Sequence, residues 1–240
     1  MKLFPIFFSE KIISKVDSKT LYICKMINQK KSSSKVAEYL LQINAVKLNS
    51  KNPFKWASGW NSPIYCDNRK ILGHPEIRSF IKEEFINLIS EFKKTPDCIA
   101  GVATGGIAIG SLVAESLGLP FCYVRSSAKG HGLNNKIEGD LEVNQNTFVI
   151  EDLISSGKSS LDAVAALKKY GVNVIGLGAI FTYGFDYAEK KFKEAGCLFK
   201  TLTDYECMLE TAINKQYIEK IELSTLKKWR QSPSDWESYD

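Results

Sequence analysis

The chain has 240 residues, 44% hydrophobic and 25% charged, with only seven prolines, which excludes a disordered chain, a collagen-like repeat or a small disulfide-stapled scaffold. Its formal charge of +5 hints at anionic partners, but residues 1–35 carry eight lysines against two acids, and residues 36–240 carry 24 basic and 25 acidic side chains. The body is therefore close to neutral, and its net charge announces no basic face for nucleic acid.

The apolar run Leu3-Phe4-Pro5-Ile6-Phe7-Phe8 stops after six residues, far short of the roughly 20 a membrane span needs. Met26 precedes a polar stretch that would suit a natural start, so residues 1–25 are expected to be an appendage. Val36, Leu40, Leu41 and Ile43 predict a short amphipathic helix with Ser34 as its N-cap. Residues 46–66 read as short strands and turns, punctuated by Asn52-Pro53 and Ser58-Gly59. Pro75 then opens a helix in which Ile77, Phe80, Ile81, Phe85, Leu88, Ile89 and Phe92 keep the 3.6-residue period.

From residue 98 the pattern becomes strand, loop and helix in repetition. Strands are predicted at 98–102, 121–124, 147–150, 172–181 and 197–202. Helices are predicted at 107–117, closed by Gly118, at 159–170, closed by Gly171, at 186–195, and after Asp204. Continuous apolar strands alternating with helices imply a parallel sheet covered on both faces. Ligands of such sheets gather at the carboxyl ends of the strands, which directs attention to the loops at 103–106, 125–140 and 151–159.

The six cysteines are scattered, none in a C-x-x-C, and there are two histidines, His74 and His131. A zinc site, which needs about four clustered ligands, is not expected. Cys98 and Cys122 sit in apolar runs and read as small buried hydrophobes in a reduced, cytoplasmic protein.

The most informative segment is Val149-Ile150-Glu151-Asp152-Leu153-Ile154-Ser155-Ser156-Gly157-Lys158-Ser159. An apolar strand runs into two adjacent acids and then a small-residue loop that opens a helix. Unpaired N–H groups at a helix start suit a phosphate monoester. The serines add donors, Gly157 lets the backbone approach an anion, and the acids can accept from the vicinal hydroxyls of a ribose. Together they describe a ribose-5-phosphate cradle. It is not a Walker A loop, because Asp152 stands where the first glycine is required. Nor does the spacing of Gly105, Gly106 and Gly110 match a dinucleotide fingerprint.

This segment resembles the signature of the type I phosphoribosyltransferases, which bind phosphoribosyl pyrophosphate (PRPP). Pro53-Phe54-Lys55-Trp56-Ala57-Ser58-Gly59-Trp60-Asn61-Ser62-Pro63-Ile64-Tyr65-Cys66-Asp67-Asn68-Arg69 resembles the N-terminal substrate segment of the orotate-specific members. Tyr123-Val124-Arg125-Ser126-Ser127-Ala128-Lys129-Gly130-His131-Gly132 resembles their mobile catalytic loop. The likeness covers roughly residues 35–225.

The resemblance implies an α/β fold, a parallel sheet flanked by helices with a small N-terminal hood. Residues 26–72 would form the N-terminal helix and hood, and 73–240 the PRPP-binding core with C-terminal helices packing back. The implied reaction is orotate plus PRPP giving orotidine 5′-phosphate and pyrophosphate, with Mg2+ carried on the diphosphate and no direct protein ligand. By resemblance, residues 151–159 hold the ribose and 5′-phosphate, with Asp152 also among the catalytic residues. Ser155, Ile64 and Tyr65 meet orotate. Thr104, Gly105 and Gly106 form the pyrophosphate loop, and Arg125, Lys129 and His131 reach pyrophosphate. The implied partners are these small molecules and a second copy of the chain, in a homodimer that shares its active sites; neither nucleic acid nor membrane is expected.

The chain departs from some relatives at Ala57, Asn61, Gly105 and Ser126, where they carry lysine. It also has no arginine at the 181–186 strand end, where some relatives direct one to the orotate carboxylate. Lys55 and Arg69 are further candidates for anion contacts. Two other readings are a purine phosphoribosyltransferase, against which the hood segment argues, and a non-catalytic PRPP-sensing regulator that binds nucleic acid, against which the near-neutral body argues.

Overall fold

The computed structural model describes residues 18–56, 59–127 and 136–236, with side chains from residue 26 onward. Its first element is one long helix, α1 (Ser18–Gln42), which passes through the serine run where a helix start was expected. Ser34 is therefore no N-cap. The three hydroxyls find tertiary partners instead. Ser32 Oγ donates to Glu84, Ser33 Oγ donates to Thr203 Oγ1 at 3.1 Å, and Ser34 Oγ lies 3.6 Å from Cys207 Sγ. Those partners override the preference of serine for helix ends. Val36, Ala37, Leu40 and Leu41 bury the following turns.

The hood is built from very short strands. β1 (Val46–Leu48) pairs antiparallel with β4 (Ile64–Cys66), and β2 (Phe54–Lys55) pairs with β3 (Asn61–Ser62). Strands this short hold only through packing, because two or three paired residues cannot offset the entropy of ordering them. A 3-10 turn at Asn68–Gly73 leads into α2 (Pro75–Ser90), which buries Ile77, Ile81, Phe85, Leu88 and Ile89 as its period predicts. Phe92 falls just beyond the helix, and its ring meets Phe148 edge-on at 4.9 Å.

The core follows as β5 (Cys98–Val102), α3 (Gly105–Leu117), β6 (Phe121–Val124), β7 (Ile137–Glu138), β8 (Asn146–Ile154), α4 (Lys158–Tyr170), β9 (Asn173–Thr182), α5 (Asp186–Glu194), β10 (Phe199–Asp204), α6 (Tyr205–Asn214) and α7 (Leu223–Gln231). Six strands form one sheet in the order β10-β9-β8-β5-β6-β7, parallel throughout except for the β6–β7 edge. β7 lies in the polar stretch read as loop. β8 runs four residues past its predicted end because Glu151, Leu153 and Ile154 continue to pair with Ala179, Phe181 and Thr182 of β9.

One face of the sheet carries a large core with contributions from α1, α2, α3, α6 and α7, and the other a smaller core under α4 and α5. Cys98 and Cys122 are both fully buried, as expected of small hydrophobes. The chain steps from β5 outward to β6 on one side, then returns to place β8 on the other side of β5. The loops leaving β5 and β8 therefore diverge and open a crevice at the carboxyl edge, the topological switch point where parallel sheets bind ligands.

Candidate active site

The two adjacent acids of β8 point to opposite faces, as alternation along a strand requires. Glu151 is turned under α4 and is 3% exposed. Its Oε1 accepts the Asp152 N–H at 3.1 Å, and its Oε2 accepts Ser160 Oγ at 3.0 Å and Ser159 Oγ at 3.4 Å. Burial first, and the neighbouring Asp152 charge second, push its carboxyl well above the usual range. Asp152 lies half-buried on the α3 side. Its carboxyl group covers the Cα of Gly105 so closely that a Cβ there would overlap it. Glycine at 105, where some relatives carry lysine, is thus the residue that leaves room for this acid.

After Ile154 the backbone turns through Ser155, Ser156 and Gly157 into α4. Gly157 takes φ +73°, and a Cβ there would strike the Phe192 ring at 2.8 Å, so both the left-handed backbone and the close approach call for glycine. The first N–H groups of α4 then face the crevice with the positive end of the helix dipole. A cleft of about 360 Å³ is lined by Ala103, Arg125, Ser126, Ser156, Lys158 and Ser159, among others. The fold thus brings Ser156, Lys158 and Ser159 of the 151–159 segment and Arg125 to one opening. Arg125 is held there by Glu138 at 3.3 Å, while Lys158 leans outward to Asp162 at 3.0 Å. Leu153 packs against the larger core and Ile154 is buried in the smaller one, so both serve the strand through packing.

Thr104 precedes α3, and Gly105 and Gly106 form its first turn beside Asp152; the Ala103–Thr104 peptide is cis. Lys129 and His131 lie outside the described residues, as do Ala57 and most of the 1–25 segment. Among the described residues no group of three or more His, Cys, Asp or Glu side chains is placed to hold a metal ion.

The hood closes over the same edge. Ile64 is fully buried in the larger core, whereas Tyr65, on the other side of the strand, is 41% exposed and tilts against Phe54 at 5.8 Å. Arg69 grips Asp67 through two nitrogens at 2.6 and 3.0 Å and holds that carboxyl below its usual range. Asn68, fully buried, ties the hood to the acidic strand. Its Nδ2 donates to the Asp152 carbonyl at 2.7 Å, and its Oδ1 accepts from the Cys66 thiol at 3.3 Å. Burial, then the Asp152 and Asp67 charges, push that thiol up. Asn68 received no role from the sequence. Its only signal was its place inside the hood segment.

Behind the hood stands an aromatic cluster. The Trp56 ring lies 5.1 Å from Tyr183 and 5.5 Å from Trp229, and its Nε1 donates to the Ile64 carbonyl at 3.1 Å. Trp229 of α7 is fully buried and also meets Tyr183, Phe185 and Tyr205. The C-terminal helix thus supports the hood directly, a pairing that spans more than 170 residues of sequence.

Comparison with known proteins agrees with this geometry. The family described as "Phosphoribosyl transferase domain" matches residues 67–210. An orotate phosphoribosyltransferase of Bacteroides fragilis is 53% identical over 202 residues, covering 84% of this chain and 95% of that protein. One from Porphyromonas gingivalis is 51% identical, covering 84% and 96%. The crystal structure of orotate phosphoribosyltransferase from Aeropyrum pernix, at 24% identity, superposes with a TM-score of 0.67 over 77% of this chain and 99% of that one. Half-identical sequence over most of both chains, on a shared fold, leaves one conclusion: the chain belongs to the phosphoribosyltransferases and, among them, to the orotate phosphoribosyltransferase family.

Proposed function

We propose that the chain transfers the 5-phosphoribosyl group of PRPP to orotate, releasing pyrophosphate and giving orotidine 5′-phosphate for pyrimidine nucleotide synthesis. The observation that carries this reading is the joint placement, at the switch-point crevice, of a helix-start anion cradle and a hood hydrogen-bonded to the same acidic strand. In this reading the N–H groups and hydroxyls of residues 155–159 hold the 5′-phosphate. Asp152, the acid open to the crevice, accepts from the ribose hydroxyls. Glu151 has protein donors on both oxygens and positions the loop from beneath.

Transfer at the anomeric carbon builds positive charge on the ribose and negative charge on the departing diphosphate, so catalysis consists of positioning and of cations aimed at the leaving group. Residues 104–106 at the start of α3 and the Arg125 guanidinium fill that role. Lys129 and His131 join them from the adjoining loop, whose closure would exclude water that otherwise hydrolyses PRPP. Mg2+ arrives on the diphosphate as part of the substrate. The donors facing the crevice are N–H groups, hydroxyls and Arg125 with one half-open carboxylate, a set that suits a metal-carrying polyanion rather than a bare cation.

The reading includes a homodimer whose 125–131 loops reach the neighbouring site, and a cytoplasmic location. The free, mostly buried thiols of Cys66, Cys98, Cys122, Cys197 and Cys207 suit a reducing compartment. No helix among the described residues is long and apolar enough to cross a membrane. The direct test is the near-ultraviolet absorbance of orotate, which should fall when PRPP and Mg2+ are added. No change with folded protein would overturn the assignment. Lys129→Ala should lower turnover far more than it weakens either substrate, and unchanged turnover would remove that residue from the leaving-group role.

A further inference from the structure

Tyr183 is the first residue past β9, and its N–H donates to the carbonyl of Ile154 at 3.2 Å, one residue before Ser155. That bond sets its side chain beside the loop that ends β8. The ring is clamped on all sides. Phe185 stacks on it at 5.5 Å and 21°, Phe181 meets it at 5.2 Å and 89°, Trp229 at 5.6 Å and 77°, and Trp56 at 5.1 Å. Only 2% of the residue is exposed, so the position of its hydroxyl is fixed by packing rather than by a hydrogen bond.

Tyr205, the other fully buried tyrosine among the described residues, is satisfied within the protein. Its hydroxyl donates to the Leu226 carbonyl at 3.0 Å. The Tyr183 hydroxyl has no such partner among the described residues. Nor is it one of the sealed orphan atoms, which are Thr147 Oγ1 and Trp229 Nε1. It is therefore not sealed in the core, and the ring that carries it is held between Trp56 of the hood and the end of β8. Buried polar groups are nearly always hydrogen-bonded, and one that is rigidly held, unpartnered and not sealed in the core is built to meet a ligand.

We propose that the Tyr183 hydroxyl donates a hydrogen bond to an oxygen of the bound pyrimidine and so determines how tightly the site holds its base. The inference rests on the orotate reading above and adds a residue to it. Three features fit. The charges that bear on the hydroxyl are those of Cys66 and Tyr65 of β4 and Asp152 of β8, besides Tyr205, so its neighbourhood draws on both the hood and the acidic strand. Burial, followed by those neighbours, pushes its pKa well above 10, which keeps it a donor wherever the enzyme works. Orotate offers carbonyl and carboxylate oxygens, and a donor in a site closed to water discriminates strongly against a ligand that lacks the acceptor.

The test is steady-state kinetics with orotate and PRPP varied in turn, on wild type and Tyr183→Phe, which keeps the ring and removes only the oxygen. The KM for orotate should rise about tenfold or more, as expected for a lost bond to a charged or strongly polar acceptor. The KM for PRPP should stay within about twofold, by the same arithmetic. Tyr205→Phe serves as the control: it removes a buried hydroxyl of the same aromatic cluster, the one bonded to the Leu226 carbonyl, keeps every ring, and should lower the melting temperature without the rise in orotate KM.

Orotate KM unchanged in Tyr183→Phe, or raised equally in Tyr205→Phe, overturns the proposal while leaving the enzyme assignment intact. A wild-type protein that releases no pyrophosphate from PRPP with orotate overturns the assignment itself and the proposal with it.

Discussion

The crevice has two walls made in different ways. The cradle wall is a nine-residue strand, a three-residue turn and a helix, all contiguous from Asn146 to Tyr170. The groups it offers are backbone N–H and serine hydroxyls, fixed by the strand pairing of β8 on both sides. The base wall has no such frame. It is two- and three-residue strands, one buried asparagine, and an aromatic cluster drawn from Trp56, Tyr183, Tyr205 and Trp229. The first wall is held by hydrogen-bonded geometry that any suitable side chains would share. The second is held by side-chain packing, so its shape depends on a few large residues. An enzyme that grips a constant phosphoribosyl group on a rigid wall can vary its base on the other.

The difference can be broken most severely at Trp229. Trp229→Ala removes a fully buried ring that touches Trp56, Tyr183, Phe185 and Tyr205, and should cost about 3–5 kcal/mol in denaturant unfolding. Where enough protein remains folded, the KM for orotate should rise more than that for PRPP; equal rises would mean that the walls form one unit. The converse variant is Gly105→Ala, whose Cβ overlaps the Asp152 carboxyl. The acid must rotate away, and the KM for PRPP should rise about tenfold, equivalent to about 1.4 kcal/mol, with orotate little affected. Asp152→Asn should act in the same direction, and unaltered PRPP affinity would remove that acid from the ribose.

A smaller effect is expected at Glu151. Its carboxyl is held protonated above the ordinary value of 4.5 by burial. As pH rises through 4.5 the unfolded chain releases this proton while the folded chain keeps it, so the unfolded state binds fewer protons and stability falls with pH. The loss ends once pH passes the folded-state value. Glu151→Gln removes that penalty, and its unfolding midpoint should gain on wild type from about pH 4.5 upward; parallel curves would show that the carboxyl titrates normally. The smallest change is Lys30→Ala. Its ion pair with Glu210 at 3.3 Å is 73% and 54% exposed, and its removal should shift stability by no more than about 0.5 kcal/mol.

The strand, turn and helix of the cradle wall were legible in the sequence. Pro75, Gly118 and Gly171 mark helix ends correctly, because capping and proline geometry are local properties. The serine run at 32–34 misled for the same reason. Locally it reads as a helix start, yet Glu84, Thr203 and Cys207 lie across from it and accept it into α1. The extra length of β8 was hidden too, since acids look like a strand's end until β9 is seen to pair with them. Tyr183 and Asn68 carried no sequence signal beyond their places in the 181–186 strand end and the hood segment, because each meets its partners dozens of residues away.

Sequence by itself determined the alternation of strands and helices and the strand–turn–helix from Asn146 to Tyr170, since each is specified by residues within a turn or two of one another. Tertiary structure decided which of the two adjacent acids is buried and which is open. It also decided that Asn68 fastens the hood to Asp152, and that Tyr183 stands between Trp56 and Trp229 with no hydrogen-bond partner for its hydroxyl among the described residues. Those outcomes come from the packing of segments far apart in the chain, and spacing along a sequence encodes backbone geometry far more directly than it encodes which distant side chains will meet.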